Sequence, residues 1–312
     1  MTILGDSILL VFLFGILGLA ADLAVRNIKY VTIALKMKLF TLGILLGIVT
    51  SLPELSVGIN TTVEEVASLS VGNIMGGILV IFGLIIGTSV LFGNKIETKG
   101  NLKSLIPSAL VIVSPVFLGL DGKYLFWDGL VMVFLYILLL LYLYKINHSF
   151  HGPKSITLER KKLTRAVFLS IIGVVLVMLS SHFIVKTAVD LLELTNISKL
   201  FMGVIVFAIG TNLPEITVTI TSWRRKASEL SLSHLVSSAF TNILVLGLLV
   251  VIQPITFALS PTFYILITFV ILILALFLYS SFSRETLTRK EGLALLLIYI
   301  LFLTTNILLG KL

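Results

Sequence analysis

The sequence predicts an all-α polytopic membrane protein whose ten transmembrane helices form two inverted five-helix repeats. Three observations lead to this prediction: 58% of the 312 residues are hydrophobic, long apolar runs recur along the whole chain, and one motif occurs twice. The mean hydropathy of +1.14 excludes a soluble domain. Apolar runs of about 18 residues or more are the signal of a transmembrane helix.

The apolar runs define the predicted spans. Backbone polar groups must be hydrogen-bonded within the chain inside a bilayer, so these runs predict helices and not strands. The first run follows Asp6 and has no basic residues before it, which favours a first span over a signal peptide. The ten predicted spans are residues 5–25, 39–61, 66–92, 104–120, 124–145, 165–187, 200–222, 230–252, 262–282 and 291–309.

A basic, polar segment separates the first five spans from the last five. Residues 146–164 are too short and too charged to fold alone, so we interpret them as a cytoplasmic linker. The first repeat is then predicted over residues 1–145, with its site motif at 47–81. The second is predicted over residues 165–312, with its site motif at 208–242.

The distribution of basic residues predicts the orientation. Nineteen of the 23 Lys and Arg residues fall on one side of the predicted spans and four on the other, so the richer side is cytoplasmic and both termini lie outside. The net charge of +8 is therefore a topology signal and not a nucleic-acid surface. An odd number of spans per repeat makes the second repeat enter the membrane in the opposite sense. No organellar targeting segment is evident, so we expect a prokaryotic cytoplasmic membrane.

The repeated motif is the sequence VTSLPE at residues 49–54 and GTNLPE at residues 210–215, which lie 161 positions apart. The same offset aligns residues 38–70 with 199–231 without a gap, which indicates an internal repeat. Because the two copies enter from opposite faces, they can meet near the middle of the membrane.

Each copy of the motif places oxygen atoms on one side of an interrupted helix. Thr50 and Glu54 are four residues apart, as are Thr211 and Glu215, so each pair shares a helix face. The proline before each glutamate should kink the helix and release backbone carbonyl groups. Oxygen ligands of this kind suit a hard cation such as calcium, magnesium or sodium.

The two glutamates also suggest how transport would be coupled. No Lys or Arg lies deep in a predicted span, so Glu54 and Glu215 have no basic partner. Two facing carboxylates repel each other, and one becomes protonated when no cation is bound. An empty, ionised site does not cross the membrane easily, so it returns loaded with another cation or with protons. The alternative is a pair of protonated glutamates that only pack.

The spans that follow each motif add neutral candidates. At the same offset, Ser238 and Asn242 of the second repeat offer oxygen atoms, and we predict that they line the site. Gly72, at the start of the corresponding span, is typical of close helix packing. His234 is either a proton relay or a hydrogen-bonded structural histidine.

Several classes of protein are excluded. The chain has no cysteine, which excludes disulfides and thiolate metal sites. It has no phosphate-binding glycine loop and no nucleophile triad, which argues against an ATP-driven pump and against an enzyme. We therefore expect no cofactor and no nucleic-acid partner; the expected partners are transported ions and the lipid bilayer.

At these motifs the chain resembles the calcium:cation antiporter superfamily, and most nearly its prokaryotic sodium/calcium exchanger branch. That family carries Gly-Thr-Ser-x-Pro-Glu followed by Gly-Asn-x-x-Gly-Ser-Asn-x-x-Asn/Asp in both repeats. The resemblance implies that Glu54 and Glu215, with backbone oxygens of Thr50 and Thr211, hold calcium. It also implies that flanking sodium sites use Ser51, Asn212, Ser238 and Asn242, with carbonyl groups near Gly47 and Ala208.

The chain departs from the family pattern mainly at neutral positions. Val49 replaces the first glycine, Asn212 replaces a serine, and Gly77 and Ile81 stand where polar residues are expected. Exchange of calcium for sodium is the implied function, and a proton-coupled exchanger of calcium or another cation is the alternative. A cation channel or a membrane sensor that kept the scaffold is a third hypothesis.

Overall fold

The computed structural model describes residues 3–34, 47–92, 96–97, 102–146, 160–195, 197–216, 219, 228–284 and 286–309. Within these ranges the chain is almost entirely helical. The α-helices are α1 Ile3–Ala34, α2 Leu52–Val63, α3 Ser68–Leu79, α4 Gly87–Leu91, α5 Leu102–Leu118, α6 Phe126–Ile146, α7 Arg160–Leu194, α8 Lys199–Met202, α9 Ala208–Thr211, α10 Ser228–Ile252, α11 Pro261–Arg284 and α12 Arg289–Leu309. Two π-helical segments, Val80–Ile86 and Gly203–Phe207, join α3 to α4 and α8 to α9.

Seven helical segments in the described part of the chain are long and apolar enough to cross a membrane. They coincide with seven of the ten predicted spans. Predicted spans 104–120 and 200–222 correspond to shorter apolar helices, Lys103–Leu118 and Lys199–Thr211. Predicted span 39–61 is described only from residue 47 onwards, where residues 47–50 and α2 are helical. The chain is thus a polytopic helical membrane protein.

Several helix ends differ from the predicted spans. The first span was expected to end near residue 25, but α1 continues to Ala34. The predicted linker, residues 146–164, is described only at its ends: α6 includes residue 146, α7 begins at Arg160, and residues 147–159 lie outside the described ranges. Lys and Arg side chains can keep their charges in water while the backbone stays helical, so hydropathy alone underestimates helix length.

Four two-residue strands connect the two halves of the chain. Strand β1, Ile96–Glu97, pairs antiparallel with β4, Thr286–Leu287. Strand β2, Lys123–Tyr124, pairs antiparallel with β3, Ile255–Thr256. These ladders lie between spans, so each strand pair ties an inter-helical segment of the first half to one of the second.

Glycines allow the two halves to approach closely at the centre. A methyl group on Gly72 of α3 would lie 2.5 Å from the carbonyl oxygen of Leu200 in α8. A methyl group on Gly203 would in turn overlap the carbonyl oxygen of Leu69. Because helices of a membrane protein approach most closely at small residues, this crossing holds α3 against the segment that carries the second motif.

Candidate functional site

The two copies of the motif break their helices at equivalent residues. Ser51 has φ −88° and ψ 9°, and Asn212, 161 positions later, has φ −85° and ψ 9°. The sequence predicts that each proline kinks its helix and releases carbonyl oxygens around Thr50 and Thr211; the break lies at the next residue, two positions before each proline. Pro53 has no N–H and its ring clashes with the carbonyl group of Val49, so the helix opens before the proline and restarts at Leu52.

The second copy is held by polar contacts with its neighbours. The Thr211 hydroxyl donates to Oδ1 of Asn73 on α3 over 3.0 Å. The Ser238 hydroxyl on α10 donates to Oε1 of Glu215 over 3.0 Å. Asn212 donates from Nδ2 to the carbonyl oxygen of Ala208, one turn earlier, over 2.8 Å. The predicted residues of the second repeat are therefore linked to α3, α9 and α10.

The first copy is less constrained. Thr50 donates from its hydroxyl to the carbonyl oxygen of Gly47 over 3.1 Å. The hydroxyl of Ser51 and both carboxylate oxygens of Glu54 are buried without a hydrogen-bond partner. Glu54 lies close enough to Glu215 for their charges to interact, and the Thr211 hydroxyl lies beside its carboxylate. The structure thus brings together one glutamate from each copy.

Asn242 joins the group from α10. A methyl group built on Gly77 of α3 would lie 3.1 Å from Nδ2 of Asn212 and 4.0 Å from Nδ2 of Asn242. The two amides therefore occupy the space beside Gly77. Oδ1 of Asn242 has no hydrogen-bond partner.

All nine predicted site residues are buried, with at most 1% of each exposed. They are Thr50, Ser51, Glu54, Ala208, Thr211, Asn212, Glu215, Ser238 and Asn242. Six of their side-chain oxygen atoms have no hydrogen-bond partner: Oγ of Ser51, both carboxylate oxygens of Glu54, Oδ1 of Asn212, Oε2 of Glu215 and Oδ1 of Asn242. Buried polar atoms are normally hydrogen-bonded, so such a set of unpartnered acceptors is the arrangement that a bound cation would satisfy.

The ligand chemistry is that of hard oxygen donors. Across the described ranges, no group of three or more His, Cys, Asp and Glu residues is placed to hold a metal ion. Two carboxylates supplemented by hydroxyl and amide oxygens suit calcium or sodium better than a transition metal.

One functional candidate, Asn73, was missed by the sequence reasoning. It is 1% exposed and accepts the hydrogen bond from Thr211. The available signal was the match of residues 72–76 to Gly-Asn-x-x-Gly in the family pattern, in which Asn73 is the asparagine. His234, its counterpart in the second repeat, keeps Nδ1 without a hydrogen-bond partner, so both hypotheses for this histidine stay open.

Comparison with known proteins identifies the family. The profile of the family "Sodium/calcium exchanger protein" matches residues 7–145 and 165–308, which is most of the chain. The chain belongs to this family. The resemblance inferred from the two motifs is therefore confirmed. The family consists of cation antiporters, so this member of it is a membrane transporter and not an enzyme.

Three relatives match this chain over most of their length. A sodium/calcium exchanger of Methanosarcina acetivorans is 22% identical over 339 residues, covering 94% of this chain and 97% of the relative. An uncharacterized membrane protein of Methanocaldococcus jannaschii is 25% identical over 256 residues, covering 82% of each. An inner membrane protein of Escherichia coli is 26% identical over 260 residues, covering 79% of this chain and 78% of the relative.

A solved structure shares the fold of this family member. The sodium-calcium exchanger NCX_Mj, soaked with 10 mM Na⁺ and 10 mM Sr²⁺, superimposes with a TM-score of 0.66. The match covers 95% of this chain and 98% of that chain, at 23% sequence identity. At this identity the likeness shows the fold alone.

Proposed function

We propose that this protein exchanges calcium for sodium across a prokaryotic cytoplasmic membrane, by alternating access at a midplane site formed by Glu54 and Glu215. Backbone oxygens of Thr50 and Thr211 complete the calcium site. Ser51, Asn212, Ser238 and Asn242 supply the flanking neutral oxygens. The relative from Methanosarcina acetivorans and the structural neighbour NCX_Mj are both sodium/calcium exchangers, which supports both ions as substrates.

The observation that carries this proposal is the set of six buried acceptor oxygens without partners. Calcium takes about six to eight oxygen ligands, several of them carboxylate oxygens. Five of the nine predicted residues contribute to this set, and every atom in it is an oxygen. A cation bound among these atoms would offset the desolvation of Glu54 and Glu215.

Electrostatics then favours exchange over a leak. With no cation bound, two ionised glutamates without a basic partner would repel each other within the membrane, which costs several kcal/mol. The site therefore changes its exposure readily only when it is occupied. This dependence couples the movement of calcium in one direction to the movement of a counter-ion in the other.

The architecture that we propose has ten spans in two inverted repeats, at residues 1–145 and 165–312, with both termini outside. Equal backbone angles at Ser51 and Asn212 support the repeat. The strand pairs support it too, because an offset of 161 moves β1 to the residues just after β3, and β2 to the residues just before β4.

Helix packing adds a further line of support. A methyl group on Gly129 of α6 would lie 2.8 Å from the carbonyl oxygen of Gly247 in α10. A methyl group on Gly292 of α12 would lie 2.9 Å from the carbonyl oxygen of Gly87 in α4. The fifth and the tenth predicted spans thus cross their partners at glycine pairs that lie within two residues of the positions related by the 161 offset.

A proton-coupled exchanger of calcium is the second candidate function. Gly77 and Ile81 offer no side-chain oxygen at positions where the family pattern is polar, and Ile81 is fully buried. Fewer oxygen ligands leave less support for sodium, whereas a proton needs only a carboxylate. This candidate keeps Glu54 and Glu215 in the same roles.

Calcium uptake by proteoliposomes tests the proposal. The purified protein is reconstituted, and calcium-45 uptake is measured against an imposed sodium gradient and, separately, an imposed pH gradient. We expect uptake driven by sodium and abolished by Glu54→Gln. Glu65→Gln makes the same change at an exposed residue and should leave uptake unchanged.

The outcomes separate the candidates. Uptake driven by the pH gradient alone would show that the counter-ion is the proton and not sodium. Calcium flux that persists without any counter-ion would favour a channel. Failure of both gradients to move calcium would refute calcium as the substrate.

A further inference from the structure

We infer that the side-chain amide of Asn212, which has room because residue 77 is glycine, disfavours sodium binding at the Ala208 carbonyl. The protein consequently couples calcium to fewer sodium ions than the same chain would with serine at both positions. This inference rests on the proposed function and specifies its counter-ion requirement.

The orientation of the Asn212 amide follows from its partner. A backbone carbonyl oxygen carries no proton, so the atom 2.8 Å from the Ala208 oxygen must be the NH₂ group of Asn212. Oδ1 therefore points away from Ala208, and it is one of the six unpartnered oxygens. Asn212 offers the site one amide oxygen while it occupies one backbone oxygen.

Gly77 makes this arrangement possible. A methyl group at position 77 would lie 3.1 Å from Nδ2 of Asn212, which is tighter than an ordinary van der Waals contact. The hydroxyl of a serine would extend still farther from the backbone. The absence of a side chain at Gly77 therefore leaves the space that the side-chain amide of Asn212 occupies.

The equivalent carbonyl in the first repeat is engaged differently. The Gly47 oxygen accepts from the Thr50 hydroxyl and from the Ser51 backbone N–H, each over 3.1 Å. A hydroxyl can rotate its single proton away and present lone pairs to a cation. An amide NH₂ has no lone pair to offer, so it takes one of the two acceptor positions of the Ala208 oxygen and presents partial positive charge to a cation that approaches the other. The Ala208 carbonyl is thus less favourable for a cation than one whose neighbour is a hydroxyl.

The energetic consequence concerns sodium. A sodium ion at the Ala208 oxygen would either lie against the partial positive charge of the Asn212 NH₂ group or displace that buried donor, which would then lack an acceptor. Leaving such a donor unsatisfied corresponds to a roughly ten- to hundredfold loss of affinity. A monovalent ion gains less from the nearby carboxylates than calcium does, so this loss weighs most on sodium.

Sodium binding to the purified protein in detergent tests the inference. Heats of sodium binding are measured by titration calorimetry without calcium, with choline chloride added to keep the ionic strength constant. Sodium competition against bound calcium is then measured on the same samples. The proteins compared are the unsubstituted chain, Asn212→Ser, and the double variant Gly77→Ser with Asn212→Ser.

We expect both variants to bind sodium about tenfold more tightly than the unsubstituted chain. We also expect the Hill coefficient for sodium to rise by about one in the double variant. Asn306→Ser is the matched control, because it shortens a fully buried asparagine in α12, which carries no site residue. It should leave sodium binding unchanged.

A third variant keeps the test decisive if serine at 212 impairs folding. Gly77→Ala pushes a methyl group against Nδ2 of Asn212 and should weaken its bond to Ala208, so sodium binding should again tighten, by a smaller factor. Folding of every variant is checked by thermal unfolding in detergent. Sodium binding within about twofold of the unsubstituted chain in all folded variants would overturn the inference. Absence of calcium binding in the unsubstituted chain would refute the proposed function alone, because the sodium heats are compared without calcium.

Discussion

The hydrogen bond between Thr211 and Asn73 predicts a measurable coupling in calcium affinity. A hydroxyl has one proton and two lone pairs. Because the Thr211 proton goes to Asn73, its lone pairs remain available on the side where the hydroxyl lies beside Glu54. Asn73→Leu keeps a similar volume but removes the acceptor. The released proton can then turn to the Glu54 carboxylate and compete with calcium.

The expected magnitude follows from the bond that calcium would have to break. A hydrogen bond to a carboxylate contributes about 1.5–3 kcal/mol, and a neutral one about 1 kcal/mol. Asn73→Leu should therefore weaken calcium binding by at least about 1.5 kcal/mol, or about tenfold. Thr211→Val removes the hydroxyl itself, so adding Asn73→Leu to it should do little more.

Calcium titration calorimetry on the two single variants and the double variant measures this coupling. We expect a coupling energy of about 1 kcal/mol or more between Asn73 and Thr211. Asn306→Leu makes the same change at a fully buried asparagine in α12 and should leave calcium affinity unaffected. Effects of the two site substitutions that add to within about 0.3 kcal/mol would refute this account of the Thr211 hydroxyl.

Three further predictions concern stability and are measured by thermal or denaturant unfolding in detergent. Gly203→Val should lower the free energy of unfolding by about 1–3 kcal/mol, because it forces α3 away from its crossing partner. Gly15→Val is its control, since a methyl group on Gly15 would meet nothing within 4 Å; equal losses would contradict the crossing argument. Asn60→Leu removes two hydrogen bonds to α7 and one to the backbone of its own helix, so it should lower the free energy of unfolding by about 1–2 kcal/mol. Asn27→Leu is its control, because it removes a single hydrogen bond within α1 and should cost less. Burial raises the pKa of Tyr124, so the free energy of unfolding should fall as pH rises above about 10. Tyr124→Phe should reduce that fall. If the variant loses stability with pH as steeply as the unsubstituted chain, Tyr124 is not its cause.

The sequence was most informative where backbone chemistry leaves few choices. A proline two residues after Ser51 and after Asn212 forces each helix to open, and the structure gives both residues nearly the same backbone angles. The burial of Glu54 and Glu215 could be predicted because both motifs lie in otherwise apolar runs. The break itself lies before each proline, because steric conflict with the preceding turn is relieved upstream.

The contacts of the site were harder to predict, because they depend on helix phase. A π-helical segment places an additional residue in a turn and rotates everything beyond it. The segment Gly203–Phe207 lies directly before the second motif, so the regular helical period could not indicate that Thr211 faces Asn73. The strands β1 to β4 were missed for another reason, since two-residue ladders leave no hydrophobic alternation in the sequence.

The backbone of the site is nearly symmetric, but its neutral side chains are not, and this difference bears on what the protein transports. Each half contributes one helix break and one glutamate. At the equivalent neutral positions, Gly77 of the first repeat aligns with Ser238 of the second, and Ile81 aligns with Asn242. Glycine crossings and prolines fix the frame independently of these residues, so they can change without moving the glutamates. The carboxylates are therefore expected to determine whether a divalent cation binds, while the neutral residues determine how many monovalent ions are exchanged for it.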